Sequence, residues 1–277
     1  MPVLQNKIDF AVLFSVKKAN PNGDPLDGNR PRVDYDGFGE VSDVCIKRKI
    51  RNRLQDMGEK IFVQSDERKE DGFKSLKDRA DNCQALKDAK KDADKFAEAA
   101  CAEWLDVRSF GQVFAYDKMS VGVRGPVSIQ TAVSVLPVDV TSMQITKSVN
   151  STTSDKKGAD TMGAKHRVDF GIYECFGSIN VQLAEKTGFT EEDAEKIKTA
   201  LQTLFENDCS AARPEGSMEV LKVYWWKHNC KIGQYPSAKV HRSLKISVHG
   251  EGKSLTEYKI EDEHLAGLEP EVYDGLQ

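Results

Sequence analysis

The chain has 277 residues, 39% of them hydrophobic and 30% charged, which suits one elaborated globular domain or two small ones. No apolar run reaches the roughly 20 residues that cross a bilayer, and the first residues lack the pattern of a secretory signal, so we expect a cytoplasmic protein without a membrane segment. A net charge of -4 argues against a polyanion binder. Of the 40 basic and 44 acidic residues, however, the segment from Glu251 onward holds two and eight, leaving 38 and 36 in the first 250.

The amino-terminal part predicts a strand, a loop and a helix. Apolar residues at every second position from Ile8 to Val16 indicate a half-buried strand, and the Pro- and Gly-rich stretch from Asn20 to Gly39 predicts a long loop. Ser42 suits an N-cap and Gly58 a stop for the helix between them. The apolar face of this helix would be formed by Ile46, Ile50, Leu54 and Met57.

The middle of the chain alternates between strands and two insertions. The charged, Ala-rich stretch from Gln64 to Glu103 indicates an inserted helical segment with a solvated surface. Strands are predicted at Asp106 to Tyr116 and from Val127 to Val135. The segment of thirty residues between Pro137 and Val168 is rich in Ser, Thr, Lys and Gly and is too long for an ordinary connection.

The remaining predicted strands and helix complete an order of elements that is typical of one fold class. A strand is expected from Val168 to Leu183, with a bulge near Phe176 and Gly177 because its alternation changes phase there. Thr190 and Asp193 resemble a capping box that starts a helix. A strand at Met218 to Trp226 and a hairpin from Val240 to Ile260 follow. Without the insertions the order is close to βαββαβ, which predicts an α+β, ferredoxin-like fold of the RNA-recognition type.

The sequence offers little for catalysis or metal binding. It has no nucleophile elbow, phosphate loop or HExxH motif, and its five histidines are scattered. Asp24 and Asp27 lie in the Gly/Pro loop, where Asp is usually a turn former. The six cysteines form no CxxC pair, so we interpret them as reduced core thiols. We therefore predict no enzyme activity, no cofactor and no metal.

The sequence offers more residues suited to binding nucleic acid than to catalysis. Three basic residues on one face of the predicted helix, near its N-terminus, could bind phosphates or could be an ordinary solvated face; they are Lys47, Arg48 and Arg51. The segment Arg108 to Phe114 matches four positions of the RNA-recognition consensus, and Phe110 would stack a base if it lay on an open strand face, or pack in the core. The 138–167 insertion suits an arm that reaches across nucleic acid, or a disordered loop; its basic residues are Lys147, Lys156, Lys157, Lys165 and Arg167.

Four segments carry a resemblance to a known family. They are NPNGDP at Asn20 to Pro25, DVRSFGQVFA at Asp106 to Ala115, GVRGPVSIQTAVSVLPVDV at Gly122 to Val140, and MGAKHRVDFGIYECFGSINVQLA at Met162 to Ala184. With them the chain resembles the backbone subunit of type I-C CRISPR surveillance complexes (Cascade), the seventh family of CRISPR-associated proteins.

The resemblance implies one hand-shaped domain. A ferredoxin-like palm would comprise residues 1–58, 106–137 and 168–250, a helical finger insertion residues 59–105, and a β-hairpin thumb residues 138–167. The acidic segment 251–277 has no assigned role.

The resemblance also implies a function. Several copies would polymerise along a guide RNA (crRNA) and present it in short segments for pairing with target DNA, without cutting it. Further implied partners are the guide-end-processing, large and small subunits and a later helicase-nuclease. The implied RNA contacts are Asn20, Asn22, Arg30, Arg32, Lys47, Arg48, Arg51, Arg108, Phe110, Gly111, Gln112, Arg124, Met162, Lys165 and His166.

Two alternatives remain at this stage. Related backbone subunits of type III complexes cleave target RNA with an Asp in the first loop, so Asp24 or Asp27 could serve a guide-directed endoribonuclease. The chain could also be a protein-only scaffold with solvated basic residues.

Overall fold

The computed structural model describes residues 2–89, 92–116, 119–146 and 162–275. The strands are β1 (Ile8–Ala19), β2 (Gly23–Asp24), β3 (Arg30–Pro31), β4 (Phe38–Val41), β5 (Gly111–Tyr116), β6 (Met119–Arg124), β7 (Val127–Ile129), β8 (Ala132–Pro137), β9 (Val140–Thr146), β10 (Met162–Ile179), β11 (Met218–Lys227), β12 (Leu244–Val248), β13 (Tyr258–Asp262) and β14 (Glu271–Asp274). The helices are α1 (Asp43–Asp56), α2 (Leu76–Asn82), α3 (Gln84–Asp88), α4 (Ala93–Glu103), α5 (Leu105–Phe110), α6 (Val181–Thr187), α7 (Glu191–Gln202) and α8 (Ser237–Ser243).

A large antiparallel sheet organises the α/β fold. Its strands run in the order β14-β11-β1-β10-β8-β4, and β7 and β9 also pair with β10. The central strand β1 is hydrogen-bonded along both edges, to β10 and to β11. Every residue from Ile8 to Val16 is buried, so the prediction of a half-buried strand is wrong: the intervening positions are also covered.

Both faces of the sheet are packed. On one face, Phe10 and Phe14 of β1 share a hydrophobic core with α1 and α7. On the other face, Leu13 of β1 shares a second core with α8 and β12, represented by Val240 and Leu244. The central strands therefore present no open face on which a base could stack.

The inserted helices have a hydrophobic core of their own. Phe62, Phe96, Trp104 and Phe114 pack together, with the ring centroids of Phe62 and Phe114 5.1 Å apart. The predicted helical segment from Gln64 to Glu103 is divided into α2, α3 and α4. Its core continues into the β5–β6 hairpin through Phe114 and Val121.

Several local predictions are confirmed. Ser42 caps α1 by accepting a hydrogen bond from the backbone N–H of Cys45. Thr190 and Asp193 form the capping box of α7. The strand at β11 is also present, and the hairpin predicted from Val240 begins only at Leu244, because residues 240–243 belong to α8.

The predicted strand from Asp106 is wrong in its first five residues. These residues form α5, and the strand begins only at Gly111, whose positive φ of 81° ends the helix. Asp106 accepts hydrogen bonds from the backbone of Phe62 and Val63, contacts that sequence alternation does not indicate.

The predicted bulge near Phe176 and Gly177 is also wrong. β10 keeps a regular register with β1 as far as Ile179. The phase changes inside the strand because both faces of β10 are packed: Phe170 and Ile172 pack in one core, and Cys175 and Ile179 in the other. Only Val181 and Leu183 belong to a helix, α6, which Asn180 caps by accepting a hydrogen bond from Leu183 N. A helix puts side chains on a face with period 3.6 instead of 2.

Other boundaries differ in smaller ways. The predicted strand at 127–135 is divided into β7 and β8, and the loop after β1 contains the short pair of β2 and β3. The ordered chain continues past the predicted last hairpin, because β14 joins the sheet beside β11. Of the predicted core thiols, Cys209 and Cys230 are exposed.

The long insertion after Pro137 is described at both ends. β9 and the first part of β10 form an antiparallel hairpin, from Val140 paired with Val168 to Thr146 paired with Met162. The predicted arm residues Lys147, Lys156 and Lys157 lie outside the described residues. Within the described ranges, no helix is both long and apolar enough to cross a membrane.

A buried polar cluster fastens α8 to β1. The carboxylate of Asp9, which is fully buried, is 2.8 Å from His228 Nε2 and 3.1 Å from Lys7 Nζ. His241 of α8 lies 3.8 Å from the same carboxylate, stacks on Phe176, and its Nε2 is 3.1 Å from the carbonyl oxygen of Gly177. Burial lowers the pKa of His241, although the charge of Asp9 partly opposes this.

This cluster predicts acid sensitivity. Because the pKa of His241 is lower in the folded than in the unfolded chain, the unfolded chain binds more protons below pH about 6.5, so the free energy of unfolding should fall as the pH drops through that range. In urea titrations at several pH values, we expect the free energy of unfolding to fall less steeply with decreasing pH in His241→Gln than in the wild type. The exposed His264→Gln is the control and should keep the wild-type slope; an equal slope for all three proteins would contradict the prediction.

Candidate nucleic-acid interface

The loop after β1 is a fixed structure attached to helix α1. The Asn20 side chain, which is 3% exposed, donates a hydrogen bond to the carbonyl oxygen of Asn29 at 2.7 Å. Asn22 Oδ1 accepts hydrogen bonds from both the backbone N–H and the hydroxyl of Ser42, each at 2.9 Å. The structure therefore uses both predicted asparagines to shape the loop and to hold it against the N-terminus of α1.

The same loop contacts the base of the β9–β10 hairpin. Arg30 Nη1 donates to the hydroxyl of Ser142 at 2.8 Å, and His166 Nδ1 lies 2.9 Å from that hydroxyl. Arg32 forms an ion pair with Asp24 at 3.3 Å. Three of the predicted contacts, Arg30, Arg32 and His166, are thus brought together around one junction.

A second set of charges lies on the hairpin base. Lys18 Nζ is 2.5 Å from Asp169 Oδ1, and Thr141 donates to Asp169 Oδ2 at 2.6 Å. The hydrogen bond from Lys18 is the largest influence holding the pKa of Asp169 below its usual value. Lys165 is half-buried on β10, whereas Met162 is exposed where the described part of the hairpin ends.

The predicted basic stripe on α1 is not a freely solvated face. Lys47 is paired with Asp43 at 3.0 Å. Arg48 Nη1 donates to the carbonyl oxygen of Val63 at 2.6 Å, and Arg51 Nε donates to Asp106 at 2.9 Å. The Arg51 guanidinium also lies over the Phe110 ring, 5.0 Å from its centroid. The stripe is therefore anchored to the inserted segment and to α5.

The two arginines nevertheless keep unused donors. Each guanidinium has five N–H groups, and within the described ranges one hydrogen bond is formed by Arg48 and one by Arg51. Burial lowers the pKa of Arg48, and the positive charge of Arg51 lowers it further. The two residues are three positions apart on α1, a spacing that puts their side chains on the same face of the helix. Two neighbouring guanidiniums with free N–H groups can bind a phosphate.

Arg108 faces another part of the molecule. Its guanidinium forms two hydrogen bonds with Asp193, at 2.9 and 2.8 Å, and a third with the carbonyl oxygen of Cys101. Burial opposes the charge of Arg108, but the contacts with Asp193 outweigh burial and raise its pKa. Arg108 lies in α5 and not in the predicted strand, and its guanidinium ties α5 to α7.

The remaining predicted residues meet where α5 ends. Gly111 pairs directly with Arg124 in the β5–β6 hairpin, and a Cβ atom on Gly111 would lie 2.3 Å from the Val123 carbonyl oxygen. Arg124 is exposed, and Gln112 Nε2 donates to the adjacent Val113 carbonyl oxygen. Phe110 packs against the main core beneath Arg51, so it is not on an open strand.

The predicted contacts thus form two groups that are joined by direct contacts. The first lies around Ser142, with the loop and the hairpin base, and the second around Asp106, with α1, Phe110 and Arg124. Asn22 connects them through its hydrogen bonds to Ser42 at the start of α1. Arg108 is outside this connected surface.

Sequence reasoning missed the residues that position these groups. Asp106, Ser142 and Asp169 each contact partners that are distant in sequence, so no local pattern indicates them. Lys18 could have been found, because it ends a buried strand as an exposed cation just before the first loop.

The side chains of Asp24 and Asp27 contact other residues of the loop after β1. Asp24 Oδ1 accepts a hydrogen bond from Leu26 N at 3.0 Å as well as from Arg32, and Asp27 lies 3.7 Å from Arg30 Nε. This is the geometry of an Asx turn. In the described part of the chain, no group of three His, Cys, Asp or Glu side chains is placed to hold a metal ion.

Comparison with known proteins agrees with the fold and the motifs. The family model of CRISPR-associated protein Cas7 matches residues 6–264. The CRISPR-associated protein Cas7 of Haloferax volcanii is 27% identical over 241 residues, which cover 79% of this chain and 69% of that protein.

A solved structure shares the fold at low identity. A chain of a "CRISPR RNA-guided surveillance complex, pre-nicking" is 18% identical, with a TM-score of 0.51 over 84% of this chain and 82% of its own length. A chain of a second CRISPR RNA-guided surveillance complex is 17% identical, with a TM-score of 0.48 over 79% of this chain and 68% of its own. Because the family model spans nearly the whole sequence, the chain belongs to the family of CRISPR-associated protein Cas7.

Proposed function

We propose that the chain is a non-catalytic, guide-RNA-binding backbone subunit of a type I-C CRISPR surveillance complex. Membership of the Cas7 family supports this role. The observation that carries the proposal is the pair of anchored guanidiniums on α1, Arg48 and Arg51, which are three positions apart on the same helix face and keep unused N–H groups. Such a pair suits the phosphodiester backbone of RNA and does not depend on base identity.

The surface extends along a route that a single strand could follow. From the arginine pair it runs toward Arg124 on one side, and through the loop toward Arg30 and His166 on the other. Arg32, Lys165 and Met162 lie at the second end and are proposed as further contacts. Lys47, Asn20, Asn22, Gly111 and Gln112 are proposed to shape the surface or border the strand.

We further propose the hand-shaped division of the domain. Taking β1, β8, β10 and β11 as the palm strands, their order β11-β1-β10-β8 is that of a ferredoxin-like sheet and supports the palm. The separate hydrophobic core around Phe62 and Phe96 supports the finger insertion, and the β9–β10 pairing supports the thumb. Several copies would line the guide, which would pair with target DNA while other subunits cap the assembly.

Replacing either anchored arginine should weaken RNA binding regardless of sequence. Arg48→Ala and Arg51→Ala each remove a cation that binds phosphate, so we expect weaker binding to two unrelated single-stranded guides by the same factor. The slope of log affinity against log salt should decrease by about 0.7 for each phosphate that is no longer neutralised. Filter binding at several salt concentrations measures both quantities.

Arg53→Ala is the matched control. Arg53 lies on the same helix, but its guanidinium is held by Asp56, Glu206 and Thr203. Its removal should leave the salt slope unchanged. Unchanged binding in both test variants, or a loss confined to one guide sequence, would contradict the proposal.

The absence of catalysis is tested on the assembled complex. Incubation with complementary RNA and magnesium should leave that RNA intact, because Asp24 and Asp27 are engaged in the turn. Cleavage that disappears in Asp24→Ala or Asp27→Ala would instead identify a guide-directed endoribonuclease.

A further inference from the structure

We propose that Asp106 is a positioning residue for RNA binding: its buried carboxylate holds the arginine pair of α1 in the orientation that receives a phosphate. The inference rests on the proposed function and adds a residue to it. Asp106 does not itself contact RNA, because its side chain is fully buried.

The carboxylate of Asp106 joins three segments. Oδ1 accepts a hydrogen bond from Phe62 N at 2.7 Å, and Oδ2 accepts hydrogen bonds from Val63 N at 3.0 Å and from Arg51 Nε at 2.9 Å. A buried carboxylate with three donors is well compensated. It therefore connects α5, the start of the finger insertion and helix α1 in one network.

The same network also fixes Arg48. The backbone N–H of Val63 donates to Asp106, and the carbonyl oxygen of the same residue accepts the hydrogen bond from Arg48. The neighbouring Phe62 carbonyl oxygen accepts a hydrogen bond from the buried Arg79 at 2.7 Å, which secures this dipeptide from the finger side. Arg48 and Arg51 are thus anchored to the same hydrogen-bonded pair of residues, Val63 and Asp106.

The anchoring leaves the two terminal nitrogens of Arg51, Nη1 and Nη2, available to bind a phosphate. Nε is bound to Asp106 and one face of the guanidinium lies over Phe110, so the orientation of the group is restrained. No hydrogen bond within the described ranges occupies its Nη1 or Nη2. A restrained guanidinium loses less conformational entropy on binding a phosphate than a mobile one, and it presents two parallel donors.

Charge alone predicts the opposite effect of Asp106. A carboxylate close to the two arginines should repel a phosphate, so its neutralisation would strengthen RNA binding by simple Coulomb interaction. Positioning predicts that neutralisation weakens binding, because the arginines lose their anchor. The sign of the change therefore distinguishes the two cases.

The test is Asp106→Asn in the full chain, with a single-stranded guide RNA as the probe. We expect about fivefold weaker binding or more, since two long side chains become mobile. Asp43→Asn is the matched control. It removes an acidic group at the start of α1, and in the described structure the partner of Asp43 on this helix is Lys47 and neither Arg48 nor Arg51. This substitution should leave binding unchanged or slightly stronger.

A double-mutant cycle separates positioning from general destabilisation. Arg51→Lys keeps the charge but not the planar guanidinium, so it should also weaken binding, and Asp106→Asn should add little to it. A merely structural role would give independent, additive losses. Arg51→Lys also serves if Asp106→Asn fails to fold, and wild-type affinity in Arg51→Lys would then overturn the inference.

The outcomes also separate this inference from the proposed function. If Arg48→Ala and Arg51→Ala weaken binding while Asp106→Asn matches or exceeds the wild type, the positioning role is refuted and the phosphate site stands. If none of these variants changes RNA affinity, the proposed function fails at this site and the positioning role fails with it.

Discussion

Burial of β1 on both faces and pairing along both of its edges constrain the rest of the molecule. With α1 and α7 on one face and α8 with β12 on the other, the centre of the sheet is not available for ligands. In the described structure, predicted contact residues lie where the chain leaves the sheet, in the loop after β1, on α1 and at the hairpin that extends β10. This differs from RNA-recognition modules, in which aromatic side chains on an open sheet stack the bases. In this chain the second hydrophobic core covers that face of the central strands.

The pairing of charges within the chain also indicates α1 as the binding surface. Most basic side chains in the described structure are paired within the chain; Lys49 with Asp208, Arg79 with Asp71 and Arg108 with Asp193 are partly or fully buried examples. A slightly acidic protein therefore need not have a broad basic patch to bind RNA. A few guanidiniums that are anchored by one donor and keep the others free can provide a binding site, and anchoring lowers the entropic cost of binding. Arg48 and Arg51 meet this description.

Local signals predicted the parts of the fold that depend on neighbouring residues. Ser42, the capping box of Thr190 and Asp193, and the apolar spacing of α1 and β11 were sufficient for those elements. Predictions were wrong where distant contacts decide the conformation. Asp106 draws Phe62 and Val63, which lie more than 40 residues earlier, onto α5.

The candidate site shows the same division. The basic residues of α1 were identified by type, but their partners Val63, Asp106 and Phe110 come from segments 15 or more residues away. Sequence therefore indicated which side chains could bind phosphate and not which ones are held for it. Arg108 is another example: a local motif identified the residue, whereas its partner Asp193 lies 85 residues later and no local pattern indicates it.

The most direct test of a backbone-binding surface is an experimental structure of the protein assembled on a guide RNA. The account predicts a phosphate within hydrogen-bonding distance of both Arg48 and Arg51, and base edges that are free of side-chain hydrogen bonds and available for pairing. A guide that crosses another surface, or bases whose edges are bound by this chain at the arginine pair, would contradict it.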